Sequence, residues 1–316
     1  MDDITTLQQR PRFSRRGFIG GAAALVMTGG GTAAWALDRF VVEHAEVTDA
    51  SALWSSTTTS SSSSSGTVNG TIWSSDAGTI SITAHTSGSG SSASAWYVAD
   101  LQLADASYLR TAFAEDTYGE NIIEYPSVMA SDNNAIWALN GDYYGFRDTG
   151  IVVRNGVAFR DAGARQGLAL FSDGRLALYD ETTTTAAVLV SQGVWQTWSF
   201  GPGLVDNGRA LSGLDSVEVD TNPGNHSIQG NQPRTGFGMI EPNHFVGIAF
   251  DGRSSGYSQG VSLTAFADLF VDLGAQVAYN LDGGGSTDMV FNDALVNKPL
   301  GTGKERGTSD ILYVAR

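Results

Sequence analysis

Alternating apolar and polar positions dominate the chain from about residue 71 onward, and they predict strands. Thr79-Ile80-Ser81-Ile82-Thr83-Ala84 alternates residue by residue, while Trp96-Tyr97-Val98-Ala99 and Ala135-Ile136-Trp137-Ala138-Leu139 are apolar runs of strand length. Asn155-Gly156 stands between Ile151-Val152-Val153 and Val157-Ala158-Phe159, a two-residue hairpin signal, and Ser172-Asp173-Gly174 marks another turn. One segment departs from this period. Leu263, Phe266, Leu269, Phe270 and Leu273 recur at helical spacing, with Ser262 suited to cap the start and Gly274 the end. The expected fold is α+β, a strand-rich domain of mixed or antiparallel sheet with a few helices, over residues 71–316.

After that helix, Gln276 to Asp282 reads as a strand. Val277, Tyr279 and Leu281 take one face, and Ala278, Asn280 and Asp282 the other. Three glycines then stop it. Asp282 is therefore expected at a strand end, on the face of Asn280, beside a loop without side chains to block access.

The N-terminal pattern is different. Ser14-Arg15-Arg16-Gly17-Phe18-Ile19 is a twin-arginine pattern, and a glycine-diluted apolar run follows to Leu37. Residues 1–37 read as an export signal, with Ala34-Trp35-Ala36 as a small-x-small cleavage site, or as a retained membrane anchor. Both readings place the rest of the chain outside the cell or at its surface. Residues 38–70, with an uninterrupted Ser/Thr run from Ser55 to Ser65, read as a polar linker or tether.

Composition narrows the chemistry. The 316 residues contain no cysteine and four histidines, so disulfides, thiolate metal sites and cysteine nucleophiles are excluded. Residues 1–37 carry four arginines against two aspartates, so the remainder holds −17 of the net −15. Such acidity argues against a nucleic-acid partner. Lys298 and Lys304 are the only lysines, so positive charge is almost all guanidinium, a planar fork suited to carboxylate or phosphate.

Familiar motifs fail on their context. Gly252 to Gly256 and Gly256 to Gly260 both spell G-x-S-x-G, yet the last histidine, His244, precedes both serines. Gly301-Thr302-Gly303-Lys304 is followed by Glu305, so it is no P-loop. Glu241 and His244 have metal-ligand spacing, but Pro242 and the strand-like run after them disfavour one helix face.

What remains is a series of polar residues at strand ends and glycine turns. It comprises Asn140-Gly141-Asp142-Tyr143-Tyr144, Pro233-Arg234-Thr235-Gly236-Phe237-Gly238, Asp251-Gly252-Arg253 and Gly256 to Leu263. Asn280-Leu281-Asp282-Gly283-Gly284-Gly285-Ser286, Val296-Asn297-Lys298-Pro299 and Glu305-Arg306 complete it. Taken in order, over roughly Trp96 to Arg316, the series resembles the phosphodiester glycosidase family. Its animal member is an N-acetylglucosamine-1-phosphodiester α-N-acetylglucosaminidase, and its bacterial members are often labelled exopolysaccharide-biosynthesis proteins. Gly236-Phe237-Gly238 departs from the family's usual Ala-Ile-Gly, a change of packing more than of chemistry.

The resemblance implies a hydrolase that cleaves a sugar-1-phosphodiester at the anomeric carbon. It implies Asp282 as the catalytic carboxylate, either base or oxocarbenium stabiliser, Arg234 as the phosphate clamp and Asp251 as a second carboxylate. Asn140, Asp142, Tyr144, Asn280, Gly283, Gly284, Gly285, Ser286 and Arg306 are the expected substrate-binding residues. No cofactor or metal is required by this chemistry, although clustered acids are the oxygen ligands that Ca²⁺ or Mg²⁺ takes. The expected partner is a glycan or sugar phosphodiester, with the membrane met only through residues 17–37. The competing reading is a glycan-binding or exopolysaccharide-assembly protein without catalysis.

Overall fold

A nine-stranded sheet carries the site. The computed structural model describes residues 46–54, 66–219 and 227–316, and these belong to a unit spanning His44–Arg316. In chain order the strands are β1 (Thr67–Asn69), β2 (Ile72–Ser75), β3 (Gly78–Ser87), β4 (Ser94–Leu103), β5 (Leu109–Phe113), β6 (Ala135–Asn140), β7 (Gly150–Arg154), β8 (Val157–Ala162), β9 (Gln166–Phe171) and β10 (Leu176–Asp180). They continue as β11 (Val194–Trp198), β12 (Gly203–Asp206), β13 (Arg209–Ala210), β14 (Arg234–Glu241), β15 (His244–Phe250), β16 (Val277–Leu281), β17 (Met289–Phe291), β18 (Ala294–Leu295) and β19 (Asp310–Ala315). The large sheet runs β1-β2-β3-β4-β15-β14-β16-β12-β13, and a five-stranded sheet runs β18-β17-β6-β19-β5. Strands β10-β9-β11 and β7-β8 form two smaller sheets.

The domain is mostly β. Every named strand pairing among the described residues is antiparallel, so the mixed sheet allowed by the sequence is not used. The α-helices are short: α1 (Ser51–Trp54), α2 (Pro126–Asp132), α3 (Ala186–Ser191) and α4 (Leu263–Asp272). Helix α4 is the one the periodicity predicts. Its Ser262 hydroxyl accepts the Ala265 N–H at 3.2 Å, and Gly274 stands past its end at φ +86°. The Asn155-Gly156 turn joins β7 to β8, with both residues at positive φ as this hairpin requires.

Two cores follow from the alternation in β14 and β16. Phe237, Tyr279 and Leu281 face a core shared with Trp137, Leu139, Trp198 and Leu312 from the other sheets. On the opposite face, Ala278 meets Phe266 and Phe270 of α4. Gly236 and Gly238 lie under that helix. A Cβ on Gly236 would sit 2.8 Å from both phenyl rings, so Gly236, which replaces the family's usual Ala, lets α4 lie close on the sheet.

The export segment of residues 1–37 and the Ser55–Ser65 run lie outside the described residues. The described residues on either side of that run are folded. Val47 bridges Tyr118, Ala50 is buried with Phe113 and Tyr144, and residues 67–69 form β1. No helix among the described residues is long and apolar enough to cross a membrane.

Candidate active site

Three neighbouring strands in the interior of the large sheet, β15, β14 and β16, have ends that meet on one side of it. Arg234 opens β14 opposite Phe250, the last residue of β15, and Thr235 pairs with Leu281, the last residue of β16. The segments leaving β15 and β16 therefore emerge beside the segment entering β14. Between them lies a cleft of about 130 Å³. Asp282, Arg234, Arg253 and Arg306 supply its charged lining among the described residues, Asn280, Gln232 and Ser227 add polar groups, and Tyr143 and Phe200 give it an aromatic side.

Asp282 stands where the alternation puts it, just past β16, and it is 8% exposed. Burial pushes its carboxyl above the ordinary carboxylate range. The Arg306 guanidinium, a hydrogen bond from Ser286 and the charge of Arg147 pull the other way. Arg306 Nη2 lies 3.6 Å from Asp282 Oδ2 and donates to Ser286 Oγ at 2.5 Å. Gly283 and Gly284 pass close under Pro233. The Gly284 N–H donates to its carbonyl at 3.0 Å, and a Cβ on Gly283 would come within 2.6 Å of that oxygen.

Arg234 is buried, yet it has no carboxylate partner among the described residues. Three carbonyls hold it instead. Its Nε donates to Val261 O at 2.7 Å, and its Nη2 donates to Ile228 O at 2.6 Å and Gly230 O at 2.9 Å. Burial, with repulsion from Arg253, pushes its pKa down to about 10. Arg253 is also lowered, by desolvation and then by Arg306. It adopts φ +54°, an unusual conformation for a side chain of this size, and its Nε donates to Gln232 Oε1 at 2.7 Å. Among the described residues neither arginine forms an ion pair with a carboxylate, and guanidinium groups so placed can pair with an anion.

Asn280 is fixed from behind. Its Nδ2 donates to Gly201 O at 2.9 Å, and its Oδ1 is buried without a hydrogen-bond partner among the described residues; the residue is part of the cleft lining. Among the described residues no group of three or more His, Asp or Glu is placed to hold a metal ion.

A family model described as phosphodiester glycosidase matches residues 133–315. The chain belongs to the phosphodiester glycosidase family. Zebrafish N-acetylglucosamine-1-phosphodiester α-N-acetylglucosaminidase, solved as a catalytic domain auto-inhibited by its pro-peptide, superposes with a TM-score of 0.59 at 19% identity, over 75% of this chain and 83% of that one. A hypothetical protein from Synechocystis superposes at 0.50 and 14% identity, over 74% and 61%. At these identities the likeness is one of fold. In sequence, the SPbeta prophage-derived uncharacterized protein YomE of Bacillus subtilis (strain 168) is 27% identical over 188 residues, 58% of this chain. The chain spans about a quarter (27%) of that curated relative's length.

Within this phosphodiester glycosidase fold, several residues expected at the site stand behind it. Asp251 is fully buried and does not line the cleft. Its oxygens are taken by Asn297 Nδ2 at 2.8 Å, Tyr257 OH at 2.7 Å and Lys298 N–H at 2.8 Å, so it organises loops rather than supplying a second carboxylate. Asp142 accepts from Tyr144 N–H and Ser199 N–H, both at 2.9 Å, and pairs with buried Arg154 at 3.2 Å. Tyr144 packs against Phe113 and Tyr118, and its neighbour Tyr143 takes the cleft position instead. Asn140 is buried with its carboxamide fully engaged. Gly285 and Ser286 are buried behind Arg306, with Ser286 touching Asp282 and Arg306 from below. The expected contacts that do line the cleft are Asp282, Arg234, Asn280, Gly283, Gly284 and Arg306.

Sequence reasoning gave no role to Arg253, Gln232 or Phe200, and Tyr143 stood only among the aromatic residues that permit the glycan-binding alternative. Arg253 had a signal, since it follows Asp251-Gly252 at the end of a strand, but the adjacent acid is the more obvious catalytic group. Trp137 and Trp198, whose indoles could in principle carry a sugar, are wholly in the core. Ser258 of the second G-x-S-x-G is also buried, donating to Asp251 O at 2.6 Å.

Proposed function

We propose that the cleft hydrolyses a glycosyl-1-phosphodiester, breaking the bond between the anomeric carbon and the phosphate oxygen. The observation that carries this reading is the pairing of Arg234 and Arg253, which form no ion pair among the described residues, with Asp282, the one carboxylate that lines the cleft among the described residues.

The phosphodiester binds on the arginine wall, and the sugar lies between Asn280 and the Tyr143–Phe200 side. The C1–O bond breaks with its electron pair leaving on the phosphate oxygen. The product is a phosphate monoester, a weak base that needs no proton to depart. Arg234 and Arg253 neutralise the charge gathering on it. Water forms the new bond to C1 and gives its proton to Asp282, which then returns it to solvent. A carboxylate raised by burial is a better proton acceptor than an ordinary one, and its negative charge faces the oxocarbenium-like transition state. One carboxylate suffices because the leaving group is already stabilised. That accounts for a site in which Asp251 and Asp142 are turned to structural work.

The sequence supports an exported protein acting on a surface or extracellular glycan. The twin-arginine pattern supports export, and the Ser/Thr run supports a linker that holds the domain away from a surface.

The test is turnover by the full chain against a panel of glycosyl-1-phosphodiesters, including nucleoside diphosphate sugars. Release of reducing sugar that is lost in Asp282→Asn supports the reading. Saturable binding without turnover by any member would favour the glycan-binding alternative.

A further inference from the structure

Tyr143 and Phe200 form the aromatic side of the cleft, and a residue outside the cleft sets where both stand. The Arg147 guanidinium lies 5.2 Å from the Tyr143 ring centroid and 5.0 Å from that of Phe200. Its Nη1 donates to Ser199 O at 3.0 Å. Asp142 receives the N–H of the same Ser199 at 2.9 Å. Two residues further on, Gly201 exchanges hydrogen bonds with Asn280, donating to its carbonyl at 3.2 Å and accepting its side-chain amide at 2.9 Å. Segment 199–201 is thus tied to the loop after β6 on one side and to β16 on the other.

Arg147 is itself held. Arg160 donates to the carbonyls of Tyr144, Arg147, Thr149 and Gly150, which fixes the backbone of this loop. Arg147 is only 6% exposed, so its charge acts through protein rather than through water. The charged groups that face Asp282 come from three loops. Arg306 precedes β19, Arg253 follows β15, and Arg147 follows β6. Arg306 is well exposed at the rim, whereas Arg147 is the buried member.

We propose that Arg147 is a positioning residue of this cleft, clamping the Tyr143–Phe200 wall without touching substrate. Its buried charge also favours the ionised form of Asp282. Lysine cannot replace both functions. It keeps the charge, but it has no planar face to lie over two rings.

The test uses the full chain and the variants Arg147→Lys and Arg147→Met, with Arg147→Gln in place of the methionine variant should that fail to fold. The Asp282 carboxyl is titrated by carbon NMR, its signal assigned by Asp282→Asn. Loss of the charge should move the Asp282 midpoint upward by roughly half a pH unit or more, while Arg147→Lys stays near wild type. An Asp282 midpoint unmoved in the folded neutral variant overturns the electrostatic role. This titration needs no substrate, so it stands or falls apart from the phosphodiester reading. The kinetic arm rests on that reading. With any glycosyl phosphodiester that the wild type turns over, Arg147→Lys should raise KM about 3- to 10-fold, with a smaller fall in kcat. A wild-type KM in Arg147→Lys overturns the clamping role.

Discussion

Asn140 donates its side-chain amide to the backbone carbonyl of Asp282 at 2.7 Å, and this bond joins the five-stranded sheet to the nine-stranded one at the cleft. The other end of the same carboxamide accepts from Thr235 Oγ1 at 2.7 Å and from Asp288 N–H at 3.1 Å. One buried side chain thereby sets the height of Asp282 relative to the start of β14. Asn140→Ala would leave these groups unpaired in a dry site, so it should cost on the order of 2–3 kcal/mol of stability. Its kcat should fall more than its KM changes, because the carboxylate moves while the arginine wall stays. Urea unfolding beside steady-state kinetics checks both halves.

Asp282 governs the pH dependence. Burial raises its carboxyl pKa, so the base is ionised only above a midpoint higher than that of an ordinary aspartate. Activity should therefore rise with pH through that midpoint, and Asp282→Asn should lose at least about 100-fold in kcat. Stability runs the opposite way. The folded state holds this proton more tightly than the unfolded chain, so the group destabilises the fold as pH rises through the interval between the two pKa values. At neutral pH Asp282→Asn should melt higher than wild type while being inactive.

The two arginines proposed to bind the phosphate, Arg234 and Arg253, should separate by burial. Arg253 is exposed and held by one side-chain contact, so Arg253→Gln should raise KM about 10-fold with little change in melting. Arg234 is buried and serves three carbonyls, so Arg234→Ala should lose both substrate affinity and stability, the latter by about 1–3 kcal/mol. Inorganic phosphate as a competitive inhibitor gives the affinity without reference to the sugar, and thermal melts give the rest.

Asp288 offers a pH test remote from turnover. It is fully buried, and neither of its oxygens meets a donor in good hydrogen-bond geometry. Burial, reinforced by Glu305 and Asp251, raises its pKa from 3.8 to about 8. The unfolded chain gives up this proton near 3.8, whereas the folded chain keeps it until about 8. Stability from this group is therefore fully present below the lower value and is lost progressively up to the upper one. Asp288→Asn should flatten that loss, with the largest gain over wild type at the alkaline end of a series of urea titrations.

The sheet and its faces were legible because they rest on alternation. Val277, Tyr279 and Leu281 against Ala278 and Asn280 is a period-two pattern, and it correctly delivered Asp282 to a strand end beside Asn280. Which polar residues enter the cleft was less legible. Tyr143 and Tyr144 are adjacent, and only the packing of Tyr144 against Phe113 and Tyr118 decides that Tyr143 faces outward. Asp251 looked like a second acid because nothing in its neighbourhood announces that Asn297, Tyr257 and Lys298 will saturate it. The carbonyl cradle of Arg234 comes from backbone that any sequence carries, so no residue type signals it. The link from Asn140 to Asp282 spans 142 positions and exists only once two sheets have met.

The central claim is cleavage at the anomeric carbon with Asp282 in the machinery, and bond-cleavage analysis tests it most directly. The full chain and its Asp282→Asn variant are incubated with a glycosyl-1-phosphodiester in water enriched in heavy oxygen, and the phosphate product is examined by mass spectrometry. The account predicts reducing sugar and phosphate monoester in equal amounts, no heavy oxygen in the phosphate, and loss of turnover in the variant. Heavy oxygen in the phosphate, or undiminished turnover by Asp282→Asn, would contradict it.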